Sequence, residues 1–168
     1  LGRQGVLRER ISTSSGQLRD KLEDELTEVK NSLKNFEKLD LSGLKELNEE
    51  IAAILGACES IHIDLSSIEA IDANVANQFI NYKRTLSLGL RQLSPEIAQI
   101  VGQYPCYGLH LDQLEEVDEQ TARHLVKQER DKLSLDGCRS IDAQTAQTLI
   151  DGLDITSELI LGITHLER

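Results

Sequence analysis

Lys132–Leu149, KLSLDGCRSIDAQTAQTL, reads as a strand, a tight turn and a helix in eighteen residues. Leu133 and Leu135 alternate with polar neighbours, the period of a half-buried strand. Asp136-Gly137 breaks the strand, and Asp142 opens a helix. The same order recurs upstream at Ile61–Phe79, IHIDLSSIEAIDANVANQF, where Ile71-Asp72-Ala73 matches Ile141-Asp142-Ala143. Working outward from these two copies, an apolar pair separated by one residue appears six times. The pairs are Leu39/Leu41, Ile63/Leu65, Leu86/Leu88, Leu109/Leu111, Leu133/Leu135 and Leu159/Leu161, at intervals of 24, 23, 23, 24 and 26 residues. A third apolar slot follows at Leu44, Ile68, Leu90, Leu114, Cys138 and Ile163. A fourth comes three residues later at Leu47, Ile71, Leu93, Val117, Ile141 and Leu166. A fixed period of this length is the mark of a stacked repeat.

After the fourth slot stand Asn48, Asp72, Ser94, Asp118 and Asp142. Each is a preferred helix N-cap, since its side-chain oxygen can accept a bond from a free N–H two or three residues on. Pro95 follows at a first helical position, where its missing N–H costs nothing. These polar residues therefore have a structural reading before any catalytic or calcium-binding one. Within each helix, of ten to thirteen residues on this reading, Ala52, Ala76, Ala98, Ala122 and Ala146 share one aligned position. Leu55, Phe79, Val101, Leu125 and Leu149 lie three residues further on, on the same helix face. The unit predicted is thus strand, turn, capped helix and return loop. Alone it cannot bury its apolar side, but stacked on its neighbours it can.

Leu133-Ser134-Leu135-Asp136-Gly137-Cys138-Arg139-Ser140-Ile141-Asp142 resembles the LxLxxC-xx-IT/D pattern of cysteine-containing leucine-rich repeats. The resemblance covers about Leu39 to Leu166. Only this copy has Cys in the turn and none has the family's usual Asn, so the chain looks like a variant with repeats of 23–24 residues. The resemblance implies an α/β chain built as a curved β-α solenoid, a right-handed horseshoe segment, used in that family chiefly to hold other proteins. Adjacent strands sit about 4.8 Å apart while packed helices need roughly 8–10 Å, so the strands should line the inside of the bend. The outward strand positions would then form a concave face. They include His62, Asp64, Ser87, His110, Asp112, Lys132, Ser134 and Asp136, and these are the candidate partner-binding residues. His62 and His110 belong to strands two apart, about 10 Å, too far to share one ion. No metal or other cofactor is expected.

Residues 1–38 have a different character. A Ser/Thr/Gly cluster at 12–16 reads as a linker. Leu18, Leu22, Leu26, Val29, Leu33 and Phe36 then recur at spacings of 4, 4, 3, 4 and 3 among charged residues. That spacing predicts an amphipathic N-terminal helix. Its stripe either caps the end of the repeats or pairs with another chain, which makes Leu22, Leu26, Val29, Leu33 and Phe36 candidate assembly residues. Residues 39–168 hold five full repeats and a sixth that stops where its helix should start.

The formal net charge of −11 argues against nucleic acid and anionic membranes as partners. No apolar run approaches the length of a membrane span. Cys58, Cys106 and Cys138 have neither disulfide-framework nor zinc spacing. There is no Gly-rich phosphate loop, GxSxG or HExxH, and no enzyme activity is expected. The chain begins at Leu1 and contains no Met, which points to a fragment or processed form and leaves its compartment, cytoplasmic or secreted, open. Tyr104-Pro105-Cys106-Tyr107 is the densest aromatic spot, either a rigid return loop or a small contact patch. Two functions follow: a non-enzymatic protein-binding scaffold, or a structural subunit that assembles with copies of itself head to tail.

Overall fold

The computed structural model describes residues 38–58, 61–154 and 156–167. The expected N-terminal helix and its stripe from Leu22 to Phe36 lie outside these residues. Strands β1 (Lys38–Asp40), β2 (His62–Leu65), β3 (Leu86–Leu88), β4 (Gly108–His110), β5 (Lys132–Leu135) and β7 (Glu158–Leu161) form one six-stranded sheet. The order is β1-β2-β3-β4-β5-β7, every pairing is parallel, and the sheet does not close. Register follows the repeat: Leu39, Ile63, Leu86, Leu109, Leu133 and Leu159 are successive partners. The fold is therefore mixed α/β with a parallel sheet.

Helices α1 (Glu49–Gly56), α2 (Ala73–Asn77), α3 (Pro95–Val101), α4 (Glu119–Leu125) and α5 (Ala143–Gly152) each connect consecutive strands of this sheet. Consecutive helices pack on one another. They have 8, 5, 7, 7 and 10 residues, so all but α5 are shorter than the ten to thirteen expected. The reason is geometric. A repeat of 23 or 24 residues must also return to the next strand. In α2 the chain tightens early, with i→i+3 bonds from Gln78 N to Val75 O, Phe79 N to Ala76 O and Ile80 N to Asn77 O. Helices this short do not persist on their own. They rely on their caps and on the buried face beneath them.

All five caps form. Asn48 Oδ1 accepts from Ile51 N at 2.8 Å, Asp72 Oδ1 from Val75 N at 2.9 Å and Ser94 Oγ from Ile97 N at 3.3 Å. Asp118 Oδ1 accepts from Thr121 N at 2.7 Å and Asp142 Oδ1 from Thr145 N at 2.6 Å. Between helix and sheet lies one apolar core. Ala52, Ala76, Ala98 and Ala122 are fully buried, as are Ile63, Leu65, Leu86, Leu88, Leu109, Leu111, Leu133 and Leu135, to within 1%. Each fully buried Leu or Ile contributes roughly 1.5–3 kcal/mol of transfer free energy. At the sheet's two edges the equivalents Leu39, Leu41, Leu159 and Leu161 are only half-buried. Cys58, Cys106 and Cys138 are buried and unbridged.

The turns after the strands carry a second ladder that the repeat pattern did not predict. β6 (Ser140–Asp142) pairs in parallel with β8 (His165–Glu167), and Glu116 bridges to Ser140. Four turns close with the same i→i+3 bond: Leu44 N to Leu41 O, Ile68 N to Leu65 O, Leu114 N to Leu111 O and Cys138 N to Leu135 O. The third and sixth turns are one residue shorter and lack that bond; like the fourth, where Glu115 N donates to Arg91 O, they bond to the preceding repeat. Gly89 N donates to Leu65 O and Arg91 N to Glu69 O; Gly162 N donates to Leu135 O and Thr164 N to Arg139 O. Both short turns carry a glycine where the backbone of the preceding repeat leaves no room for a side chain. A Cβ on Gly89 would fall 2.0 Å from Ser66 O, and one on Gly162 would fall 1.8 Å from Asp136 O.

Candidate functional site

Strand alternation sends the leucines into the core and the polar residues between them to the opposite face. The middle row of that face runs Asp40, Asp64, Ser87, His110, Ser134 and Ile160, each the partner of the next across the sheet. Neighbours along it are separated by about one strand spacing, 4.8 Å. Five of the expected partner-binding residues meet here. His62, Asp64, Ser87, His110 and Asp112 border one shallow cavity of about 370 Å³, together with Lys38 and Thr85.

The charges on this face are partly spoken for. Lys38 Nζ donates to Asp64 Oδ2 at 2.9 Å, and Ser66 N donates to Asp64 Oδ1 at 3.1 Å. Burial works to raise the Asp64 pKa, but the bonds from Lys38 and Ser66 together outweigh it and hold the carboxyl below its usual range. His110 Nδ1 lies 3.6 Å from Asp112 Oδ2. His62 is exposed and has no side-chain partner among the described residues.

The other three expected residues stand apart from that cavity. Ser134 is 2% exposed and donates its hydroxyl to Asp112 Oδ1, so it positions Asp112 rather than facing solvent. Asp136 N also donates to Asp112 Oδ1, at 3.3 Å, while the Asp136 side chain is exposed. Lys132 is half-buried, its ammonium 3.1 Å from Glu158 Oε2.

A second cavity of about 520 Å³ opens on the turn layer, lined by Arg91, Asp112, Gln113, Glu115, Gly137 and Arg139. Asp112 belongs to both cavities, so the strand face and the turn flank meet there. Gln113 reaches across the short third turn, its Nε2 donating to Ser66 O at 2.8 Å. Stacked turn positions form a column of alternating charge: Lys45, Glu69, Arg91, Glu115 and Arg139. Arg91 lies 3.2 Å from Glu69 and 3.7 Å from Glu115. This column escaped the sequence reading because the third turn is shorter by one residue. Aligning the copies four residues past each second strand leucine, with one gap at the third turn, would have shown it.

The return loops hold the aromatic residues inside. Tyr104 is fully buried and donates its hydroxyl to Ala76 O at 2.6 Å. Tyr82, also buried, donates to Ile61 O. Burial pushes both phenols well above their ordinary range. Of the Tyr104–Tyr107 stretch, only Tyr107 (57% exposed) and Pro105 face solvent. Arg130 is 3% exposed, with no carboxylate in contact among the described residues. Its Nη2 donates to Gly102 O at 3.3 Å, its Nη1 lies 3.8 Å from Cys106 Sγ, and its Nε has no partner. Burial lowers the Arg130 pKa and raises that of the Cys106 thiol. Neither residue reaches the two cavities.

Among the described residues no three His, Cys, Asp or Glu side chains converge closely enough to hold a metal ion. No helix among them is long and apolar enough to cross a membrane. The arrangement offers acidic and imidazole groups on an open face, with a guanidinium-lined cavity beside it. No protein-family model, curated protein or solved structure matches this chain.

Proposed function

We propose that the chain is a segment of a leucine-rich-repeat-like β-α solenoid that serves as a non-enzymatic scaffold holding another protein on its sheet face. The observation that carries this is the in-register polar row Asp64, Ser87, His110 across adjacent parallel strands, bordered by Asp112. It is a continuous open strip rather than a closed pocket, which suits an extended segment of a partner. The narrower spacing of strands than of helices bends such an array so that this strip lies on the concave side. The strip's excess carboxylates favour a basic segment.

Asp64 and Asp112 also cap turn N–H groups, so the test uses variants that keep an acceptor. Binding of a labelled hexalysine peptide is measured at low salt by fluorescence anisotropy, for the wild type and for D64N combined with D112N. The wild type should bind, more weakly as ionic strength rises, and the double variant should lose most of that affinity while remaining folded. Equal binding by both would place the site elsewhere and sink the reading.

A second reading is a structural subunit that assembles with copies of itself. It rests on Leu159, Leu161 and Ile163, which are half-buried where their equivalents Leu133, Leu135 and Cys138 are fully buried. The stripe Leu22, Leu26, Val29, Leu33 and Phe36 of a second copy is the proposed cover. Sedimentation over a wide concentration range tests it: reversible association that is lost in L26D/L33D supports it, and a strict monomer refutes it.

A further inference from the structure

Resting on the scaffold reading, we infer that the turn-layer cavity beside Asp112 is a subsite for a carboxylate of the bound peptide, with Arg139 as its recognition group. Three observations converge on Arg139. First, it lines the 520 Å³ cavity that shares Asp112 with the strand-face strip. Second, the other charges of that cavity are already engaged. Arg91 sits between Glu69 and Glu115, and Asp112 accepts from Ser134 Oγ and from Asp136 N. Gln113 has given its amide to Ser66 O. Third, the Arg139 guanidinium has no hydrogen bond or ion pair among the described residues and is exposed.

In a chain of net charge −11, one unpaired guanidinium beside a cavity is the local exception to a repulsive field for anions. A guanidinium presents a planar fork that matches a carboxylate with two parallel bonds. Gly137, in the lining, approaches the Asp112 backbone too closely to carry a side chain. A Cβ on Gly137 would fall 2.3 Å from Asp112 O. The partner is therefore a peptide whose basic residues lie over Asp64 and Asp112 and whose acidic residue follows a few positions on, at Arg139. Such a mixed-charge segment is distinguished from a uniformly basic one, which the strip alone would accept.

The test uses two labelled peptides, one of two lysines, two glycines and two glutamates, the other with glutamines for the glutamates. Binding to the wild-type chain, to R139Q and to D64N/D112N is followed by anisotropy at low salt. The glutamate peptide should bind about tenfold tighter than the glutamine peptide, the size of one charge-assisted pair at a partly exposed site. R139Q should erase that advantage and leave the glutamine peptide's affinity unchanged. An equal affinity for the two peptides, no binding of the glutamate peptide, or an advantage that survives in R139Q would overturn the subsite. Failure of the strip itself looks different: the glutamine peptide would not bind, or would bind D64N/D112N as well as wild type, while the Arg139-dependent preference remained.

Discussion

The turns that leave the strands and the loops that return to them sit at opposite ends of the same six-stranded sheet, and they hold neighbouring repeats together by different means. On the leaving side backbone bonds are joined by exposed side chains. One i→i+3 bond closes four turns, the third, fourth and sixth turns bond directly to the previous repeat, and exposed side chains add Gln113 Nε2 to Ser66 O and Arg91 between Glu69 and Glu115. On the return side, backbone bonds again link consecutive loops (Tyr107 N to Lys83 O, Asp131 N to Tyr107 O and Glu158 N to Asp131 O), and buried polar side chains are added to them. Tyr82 donates to Ile61 O, Tyr104 to Ala76 O, Arg130 to Gly102 O and Ser157 to Arg130 O, each reaching back one repeat to a backbone carbonyl. A backbone ladder can repeat in any sequence that makes the turn. A side-chain stitch depends on one residue being large enough to span the gap. The leaving side therefore links repeats partly through exposed side chains, whereas the return side links them partly through buried ones.

If that contrast is right, the most damaging single change should fall on the return side. Tyr104→Ala removes a fully buried ring and its bond to Ala76 O, at a cost of about 3–5 kcal/mol by urea denaturation. A cost under about 1 kcal/mol would mean that the stitch holds little. On the leaving side, Gly89→Ala should cost roughly 1–3 kcal/mol, because its Cβ would meet Ser66 O and the backbone must shift. A neutral result there would show the turns to be more pliable than their bonding suggests.

A milder effect is expected at the caps. Asp118→Ala should cost about 1 kcal/mol. The bond from Thr121 N holds the Asp118 carboxyl below the usual range, and the bond from Thr145 N does the same for Asp142. With folded values depressed, their contribution is complete above the unfolded carboxyl pKa of roughly 4. It is lost as pH falls through the lower folded values. Acid melts of Asp118→Ala should therefore show a shallower loss of stability below pH ~4 than wild type. The smallest change is expected at Arg130→Met. A buried guanidinium with an unpartnered Nε and no carboxylate among the described residues gives up about as much in desolvation as it gains. Replacing it with an apolar chain of similar length should alter stability by less than about 1 kcal/mol in either direction. A loss above 3 kcal/mol would mark the return side as held by charge as well as by shape.

The same contrast explains what the sequence made legible. The strand pairs, the caps and the aligned alanines recur at a fixed spacing, and each recurrence has one physical cause, so their positions could be read directly. Asn48, Asp72, Ser94, Asp118 and Asp142 all cap as their chemistry demands. Return loops do not repeat. Nothing in Glu129-Arg130-Asp131 signals that the arginine turns inward while its acidic neighbours stay exposed. Helix lengths were overestimated because periodicity marks which face is apolar, not where the chain must turn back. Of the candidate site, the alternation of strand residues located His62, Asp64, Ser87, His110 and Asp112 on one cavity. It could not show that Ser134, at an outward position, would be enclosed by Asp112. Nor could it show the Arg139 cavity, whose lining comes from three successive turns.

The strictly sequential strand order has a mechanical consequence. A load applied between β1 and β7 acts across the sheet, perpendicular to the strands, and strains one ladder of hydrogen bonds at a time rather than shearing all of them together. Extension should therefore proceed by unzipping from an edge, at low force. Each step would release one unit of about 24 residues, or roughly 80 Å of contour. The sheet would behave less like a rigid plate than like a tape that peels in equal lengths, with the stitched return loops deciding at which repeat the peeling pauses.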